Sequence, residues 1–565
     1  MRYQGLWRGV GELRDNLSSY KNAGIGMKVI TSILFAWGVI INLVIFPRLD
    51  VDAYHDGFIY PMALIVSQGG VPNKDFFSMY GPVAPFMQGI WLDVFGSSLL
   101  NLRLHGAILI VIISILLFFL SRRFLGNIGA GLISTIWLVG NPLIVQPSLP
   151  WVDLYTTLIL LLGITYVGKV SSRDALSPLN YFILGIVLAL GVFAKINFSI
   201  PLAVVFLLVT IYFGFKNSLA FAQGILLTLT FFTVLMYFIG SLKGYIEQGI
   251  IFPLSMHDEG KSLRGIFNIK ILIFGCGALL ILYLFNKVSF SNRIKRRHIL
   301  GSSAILTLIA CLIAFYFREV GVPFVAFAGD ISKDLSNFLK NSPYWLLFGS
   351  IFLAVISVAR VFVRRKSKKL DSQSVLTGII GFSSIFQLYP NPEPGHIWFV
   401  FPVVITAALV WAPSLLNEKS LGYLSKLALI PTCAALITIN VSYISIDREQ
   451  HTAKPFVGML SQQGKTSLID STMSQLEKII TKETVQYNCP LGIYSVAGNI
   501  YRGSDYQYVD LIPKFNKPKV NSDLIFNCGL DQDGVEILEK QEKILLVTEG
   551  PNPYGKNVLY VFPQP

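Results

Sequence analysis

The chain has 565 residues, 53% of them hydrophobic and 14% charged, with a mean hydropathy of +0.60. A soluble domain carries about 25% charge, so a chain this apolar cannot cover a water-facing surface, which excludes a cytoplasmic enzyme and a free nucleic-acid binder. The net charge of +14 lies entirely before residue 445: residues 1–444 hold 34 basic and 18 acidic side chains, whereas residues 445–565 hold 12 and 14. A basic excess confined to the apolar part marks loops between membrane spans, not a DNA-binding patch.

One bilayer crossing takes about 20 apolar residues. Thirteen such stretches are predicted, with cores at 28–46, 99–120, 128–146, 152–168, 180–196, 198–214, 219–240, 267–285, 299–316, 343–362, 374–388, 396–413 and 426–444. The expected fold is mainly α, a polytopic membrane protein of about 13 helices over residues 1–444. No signal-peptide cleavage site follows the first span, which carries Asn42 and bulky residues at its end, so it is read as an anchor. One set of alternate connections collects 23 Lys and Arg, including Arg122, Arg123 and the run Lys295-Arg296-Arg297, against 11 in the other set. The positive-inside rule puts the first set in the cytoplasm. The N-terminus is then inside and residues 445–565 are outside.

This tail reads as a small extracytoplasmic α/β domain, with a helix at 472–482 and strand-like runs at 491–496, 523–527, 543–547 and 557–562. Its only cysteines, Cys489 and Cys528, are expected either to pair as a disulfide outside the membrane or to stay as two buried thiols. The longest outer loops are 47–98, 241–266 and 317–342, where acids, histidines and aromatic residues gather, so any active site faces outward.

The first of these loops is rich in chemistry. Asp50, Asp52 and Asp56 follow the first span directly. Next come an amphipathic run at 58–68, too short to span and suited to the membrane interface, a break at Gly69-Gly70-Val71-Pro72, and a second short apolar run at 83–95. An acid cluster beside a membrane is costly unless it is solvated, paired or used. The stretch His257-Asp258-Glu259, with Glu247 and His55, offers metal-ligand residue types, but the spacing fits no zinc or calcium pattern. No cofactor is expected, with a divalent cation left open. Phosphate loops and nucleophile elbows are absent.

The segments Tyr54-His55-Asp56-Gly57, Gly69-Gly70-Val71-Pro72, Asp75-Phe76-Phe77-x-x-Tyr80-Gly81-Pro82, Leu92-x-x-Phe95-Gly96 and Leu102-Arg103 together resemble the first outer loop of GT-C glycosyltransferases. The likeness is greatest to the bacterial family 39 branch related to protein O-mannosyltransferases and aminoarabinose transferases. It covers residues 48–125 in detail. Two further segments carry it on: Phe193-Ala194-Lys195 at the end of a span, and the run from Gln387 through Tyr389-Pro390 and Glu393 to His396 before another.

The resemblance implies transfer of a hexose or pentose from a polyprenyl-phosphate donor to a glycan, lipid or protein acceptor at the outer face of the membrane, for cell-envelope biogenesis. It gives the general-base role to Asp56, with Asp52 as the alternative, because many members have Asp-Glu where Asp56 is followed by Gly57. A carboxylate that takes the acceptor proton suffices, since the leaving group is already a phosphate, and direct displacement inverts the anomeric centre. Lys195 and Arg103 are the expected partners of the departing phosphate, with snorkelling as the bland role of Lys195. His55, Tyr80, Glu393 and His396 are expected at the donor's phosphate or sugar. A transporter or flippase of lipid-linked sugars is the alternative, disfavoured because the acids lie in loops and no repeat is present. A glycan ligase or polymerase shares the same substrates.

The charge asymmetry predicts that an impermeant thiol reagent applied from outside modifies S504C but not S291C in intact cells. Protection of S504C overturns the orientation.

Overall fold

The computed structural model describes residues 25–52, 55–144, 148–170, 176–252, 372–388, 394–415 and 418–461, parts of 466–474, and five strand segments between 484 and 563. The expected spans at 267–285, 299–316 and 343–362, the metal-type stretch at 257–259, Glu393 and Cys489 lie outside these residues.

The first span is helix α1 (Ile25–Ile40), running through a π-turn (Ile41–Ile45) into a 3-10 turn (Phe46–Arg48) whose Pro47 ends it. Two short helices follow, α2 (His55–Ser67) and α3 (Val83–Phe95). Helix α4 (Leu99–Ile144) has 46 residues, about 69 Å at 1.5 Å per residue, more than twice the thickness of a bilayer core. It is two spans in series: Gly126, at φ 67° and ψ 179°, breaks it just after Arg122 and Arg123, between the expected spans 99–120 and 128–146.

The bundle continues with α5 (Val152–Val170), α6 (Pro178–Ala194), α7 (Ser199–Phe213) and α8 (Phe215–Phe238). After the undescribed segment come α9 (Ser372–Ser384), α10 (Pro394–Leu415) and α11 (Glu418–Ile444). Among the described residues, five helical segments are long and apolar enough to cross a membrane, at Lys28–Arg48, Leu99–Gly140, Val152–Val170, Ile196–Phe213 and Phe215–Phe238. The chain is a multi-pass membrane protein of mainly α structure.

Two interactions hold the bundle in ways that a lipid solvent favours. First, Asn42 and Asn440, both fully buried, donate from Nδ2 to the carbonyls of Leu138 and Val139 at 2.8 and 2.7 Å, fastening α1 and α11 to α4. Interhelical amide bonds of this kind hold helices together where the hydrophobic effect cannot. Second, α6 and α8 meet backbone to backbone. A Cβ on Gly185 would lie 2.3 Å from the Phe221 carbonyl oxygen, and one on Gly224 would lie 2.0 Å from that of Phe182.

The apolar core of the bundle joins α4, α5, α6, α7, α9 and α10. A second cluster, at the end of the bundle that carries the first loop, packs α2 and α3 onto Leu99 and Leu102 of α4, Leu149, and Phe456, Met459, Ile469 and Met473 from beyond the last helix. In α2, Ile59, Tyr60, Met62, Ala63 and Ile65 are buried, so the run at 58–68 is a packed element and not the interfacial one. The exposed apolar stripe belongs to α3, where Met87, Ile90, Val94 and Phe95 point away from the protein.

Beyond α11 the chain forms a small antiparallel pair, β1 (Glu449–Gln450) with β2 (Leu460–Ser461). A five-stranded mixed sheet follows, in the order β4-β3-β5-β7-β6, built from β3 (Thr484–Asn488), β4 (Ile500–Ser504), β5 (Leu524–Cys528), β6 (Leu546–Glu549) and β7 (Val558–Pro563). β3 pairs in parallel with β4 and β5, and β7 is antiparallel to β5 and β6. The expected runs at 523–527 and 557–562 are strands, and 543–547 overlaps β6. β3 and β4 fall at positions where no strand is predicted, and the run at 491–496 lies outside the described residues. Only Ser471 and the pair 473–474 of the expected helix at 472–482 and its edge are described, as helix.

The glycine seam predicts that Gly224→Val forces α6 and α8 apart. Overpacking of this kind costs about 1–3 kcal/mol, read as a lower melting temperature of the purified protein in detergent, whereas Ala→Val at the half-buried Ala434 has little effect.

Candidate active site

The first loop begins with a buried ion pair. Arg103, in the second turn of α4, and Asp56, in the first turn of α2, are both 0% exposed. Arg103 donates from Nε to Asp56 Oδ1 at 3.0 Å and from Nη2 to Asp56 Oδ2. Its Nη1 reaches the Leu49 carbonyl at 2.6 Å and Nη2 the Asp50 carbonyl at 2.8 Å. Asp56 Oδ2 also accepts the Asp52 backbone N–H at 2.7 Å. Burial pushes the Asp56 pKa above the ordinary carboxylate value, and this outweighs the opposing pull of the Arg103 guanidinium.

Arg103 thus ties the start of the loop to α4. All its nitrogens are committed inside the protein. The same geometry buries the sequence's first choice of base, with both Asp56 oxygens hydrogen-bonded inside the protein.

One turn earlier the chain turns outward. The Asp52 and His55 side chains are 33% and 37% exposed, with Asp52 Oδ2 2.7 Å from His55 Nδ1 and Asp52 Oδ1 accepting the His55 backbone N–H at 3.1 Å. The His55 ring stands edge-on to Trp151, with centroids 5.3 Å apart. Trp151 precedes α5 by one residue, and in the first turn of α5 lies Asp153, buried at 3% exposure.

Asp153 gathers the second cluster. Lys195, 9% exposed at the end of α6, donates from Nζ to Asp153 Oδ1 at 2.8 Å. His396, in the first turn of α10, places Nε2 3.9 Å from Asp153 Oδ2. Helices α5 and α10 are tied one turn deeper by Thr157 Oγ1 donating to the Phe399 carbonyl at 2.6 Å. Two buried donors belong to this neighbourhood, Trp151 Nε1 and the amide nitrogen of Gln387, and neither has a hydrogen-bond partner among the described residues. Gln387 sits on a 3-10 turn (Ile385–Leu388) packed against the Ile196–Phe198 turn that follows Lys195.

The loop is pinned to this cluster at its other end. The Gly81 N–H donates to the Ala194 carbonyl at 3.1 Å, beside Lys195. A Cβ at Gly81 would lie 1.9 Å from the Phe193 carbonyl oxygen, so only glycine permits the approach. The Tyr80-Gly81-Pro82 and Phe193-Ala194-Lys195 segments, more than a hundred residues apart, are thus in contact. Tyr80 is half-buried between the two apolar clusters. Farther back, Gln248 Oε1 accepts the Ser78 N–H at 3.0 Å and Asn73 Nδ2 at 3.2 Å.

Of the residues expected at the site, Asp52 pairs with His55, whose ring meets Trp151, Lys195 and His396 meet at Asp153, Tyr80 lies next to the Gly81–Ala194 contact, and Asp56 and Arg103 form a buried pair. Asp153, Trp151 and Gln387 were not anticipated. Asp153 had a readable signal, an acid at the start of an apolar span, since ionisable residues there are rare and usually used. Removing one partner of a buried pair leaves an uncompensated charge, at about 3–5 kcal/mol, so Arg103→Ala is expected to lower the melting temperature in detergent sharply. An unchanged melting temperature shows that the pair does not carry the loop.

Comparison with known proteins adds the following. Residues 80–238 match the model of the dolichyl-phosphate-mannose-protein mannosyltransferase family, a segment that runs from Tyr80 to the end of α8 and contains Arg103, Asp153 and Lys195. No curated protein matches the chain. Among solved structures the chain is similar to ArnT from Cupriavidus metallidurans in the apo state, with 12% identity and a TM-score of 0.44 over 96% of this chain and 98% of that one. It is similar to the same protein bound to undecaprenyl phosphate, with 12% identity and a TM-score of 0.42 over 95% and 98%. It is also similar to the archaeal oligosaccharyltransferase AglB from Archaeoglobus fulgidus in complex with an inhibitory peptide and a dolichol-phosphate, with 12% identity and a TM-score of 0.42 over 82% of this chain and 58% of that one. The family match thus covers the second half of the first loop and the helices α3 to α8.

Proposed function

We propose that the protein transfers a sugar from a polyprenyl-phosphate donor to a hydroxyl of a cell-envelope glycan, lipid or protein, at the outer face of the cytoplasmic membrane. The observation that carries this reading is the juxtaposition, through Trp151, of a partly exposed carboxylate–imidazole pair, Asp52 and His55, with Lys195 and His396 around Asp153. The family that matches residues 80–238 is described by a dolichyl-phosphate sugar donor, which supports the donor class.

In this reading Asp52 is the general base. It takes the proton of the acceptor hydroxyl as the oxygen attacks the anomeric carbon, and the bond to the donor phosphate breaks with its electron pair on the phosphate oxygen. The displacement inverts the anomeric centre. His55 orients the Asp52 carboxylate through the 2.7 Å contact. The Lys195 ammonium, with two protons beyond the one given to Asp153, stabilises the negative charge that grows on the departing phosphate. Asp153 holds that ammonium in place, and its position in the first turn of α5 is favourable for a carboxylate. Trp151 and Gln387 supply neutral donors for sugar or phosphate oxygens.

The test is mass spectrometry of envelope glycans and lipid-linked sugars in cells lacking the gene. Loss of one glycan residue together with build-up of its polyprenyl-phosphate sugar is expected, and an unchanged lipid-linked pool rejects the reading. Within it, Asp52→Asn is expected to keep the melting temperature and lose transfer by a factor of about 10²–10⁴, the range for a positioned base. Normal transfer by Asp52→Asn, alongside loss of transfer by a folded Asp56→Asn, reassigns the base to Asp56.

A further inference from the structure

The segment that leaves the last helix returns to the first loop. Arg448 donates from Nη2 to Asp50 Oδ2 at 2.9 Å, and the Tyr443 hydroxyl bonds the same carboxylate. Asp50 itself is held at φ 50°, a left-handed conformation uncommon outside glycine. Its N–H donates to the Leu460 carbonyl at 2.6 Å. The next residue, Val51, is fully buried, and its N–H donates to Ser461 Oγ at 3.1 Å.

Ser461 is the end of a chain of hydrogen bonds. Its Oγ lies 2.9 Å from His451 Nε2, and His451 Nδ1 lies 2.7 Å from Asp470 Oδ1. Asp470 Oδ2 accepts from the backbone and hydroxyl of Thr452. The order carboxylate, imidazole, hydroxyl is that of a hydrolytic nucleophile triad. Access argues against that use: Ser461 is 0% exposed and His451 1%, and the Ser461 oxygen is already engaged by a backbone N–H. Burial works against the charge of Asp470, but the Thr452 donors and His451 more than offset it and hold the carboxyl below its ordinary value. An ionised Asp470 places the proton on Nδ1, so Nε2 accepts from the Ser461 hydroxyl and the hydroxyl oxygen accepts from Val51. Each donor and acceptor in the chain then has one consistent direction.

We propose that Ser461, His451 and Asp470 are positioning residues for the first loop: their hydrogen-bond chain sets the backbone at Val51 and thereby aims the Asp52 carboxylate. This rests on the glycosyl-transfer reading for its consequence, because Asp52 is the base there, but the positioning itself is measurable without it. A base must be held within a few tenths of an ångström of its geometry, and a displacement of about 1 Å costs up to roughly a hundredfold in rate.

The experiment uses the full-length protein in detergent, with the polyprenyl-phosphate sugar pool extracted from cells lacking the gene as donor, and reads hydrogen exchange of the peptide containing Val51 in parallel. Ser461→Ala is expected to lower kcat about ten- to a hundredfold with the donor KM unchanged, and to release the protection of the Val51 amide. Ser461→Thr keeps the hydroxyl and restores turnover. Should Ser461→Ala not fold, Asp470→Asn, at the partly exposed end of the chain, is expected to show the same kcat loss at constant KM. Retention of Val51 protection and of wild-type kcat in the variants overturns the proposal, as does a loss of turnover that merely follows the loss of folded protein. If the wild type consumes no donor but Ser461→Ala still releases Val51, the transfer reading fails while the positioning stands.

Discussion

The arrangement of the first loop depends on the Arg103–Asp56 ion pair. Both side chains are fully buried, and the pair's stabilising value there is not its attraction alone. Desolvation takes back much of the Coulomb gain of a buried pair, and this is offset here by the carbonyls of Leu49 and Asp50 and the N–H of Asp52, which add hydrogen bonds to both ions. What the pair confers is geometry. With Asp56 drawn inward to α4, the Asp56 N–H closes onto the Asp52 carbonyl at 2.9 Å, and the Asp52 side chain is left on the outer side of that turn. Of two acids four residues apart, the buried cation selects which becomes structural and which remains accessible.

The second constraint is steric. Gly81 lies against the last turn of α6, and the bond from its N–H to Ala194 ends the loop beside Lys195. A loop fixed at Asp56 and again at Gly81 has α2 and α3 as its rigid interior. A carboxylate at its start and an ammonium beside its finish are thus held by backbone contacts on a packed scaffold.

Much of this was legible in the residues. The apolar stretches gave the described helices nearly to their ends, and the Arg122-Arg123 pair marked the break that Gly126 makes in α4. Asp52, His55, Lys195, Tyr80 and His396 stood out by resemblance, and the fold joins them in two groups, Asp52 with His55, and Lys195 with His396 at Asp153. Burial was not legible. Arg103 at the start of a span has the residue type and position of an anion binder, and only the fold reveals that its guanidinium is spent on Asp56 and two carbonyls. Asp153 was overlooked because a lone acid inside Leu-Pro-Trp-Val-Asp makes no pattern, although its cost in an apolar span is a signal in itself. The union of Asp50 and Val51 with Leu460 and Ser461 leaves no trace in sequence, since three of the four groups in its two hydrogen bonds are backbone groups. The strand at 484–488 was overlooked although Thr-Val-Gln-Tyr-Asn alternates, whereas Ile-Tyr-Arg-Gly-Ser at 500–504 breaks the alternation.

The contact between Val51 and Ser461 also orders the protein in time. The two residues are 410 positions apart, and a ribosome adding about 5–20 residues per second needs roughly 20–80 s to cover that distance. Through that interval the early helices are inserted and packed, but the loop lacks the partner that closes it. Every span therefore precedes the last pieces of the loop's support, and a chain truncated before residue 461 carries its early helices without that closure. The support of the first loop is completed only when the chain beyond the final helix emerges, so a loop near the start of the polypeptide waits on residues near its other end.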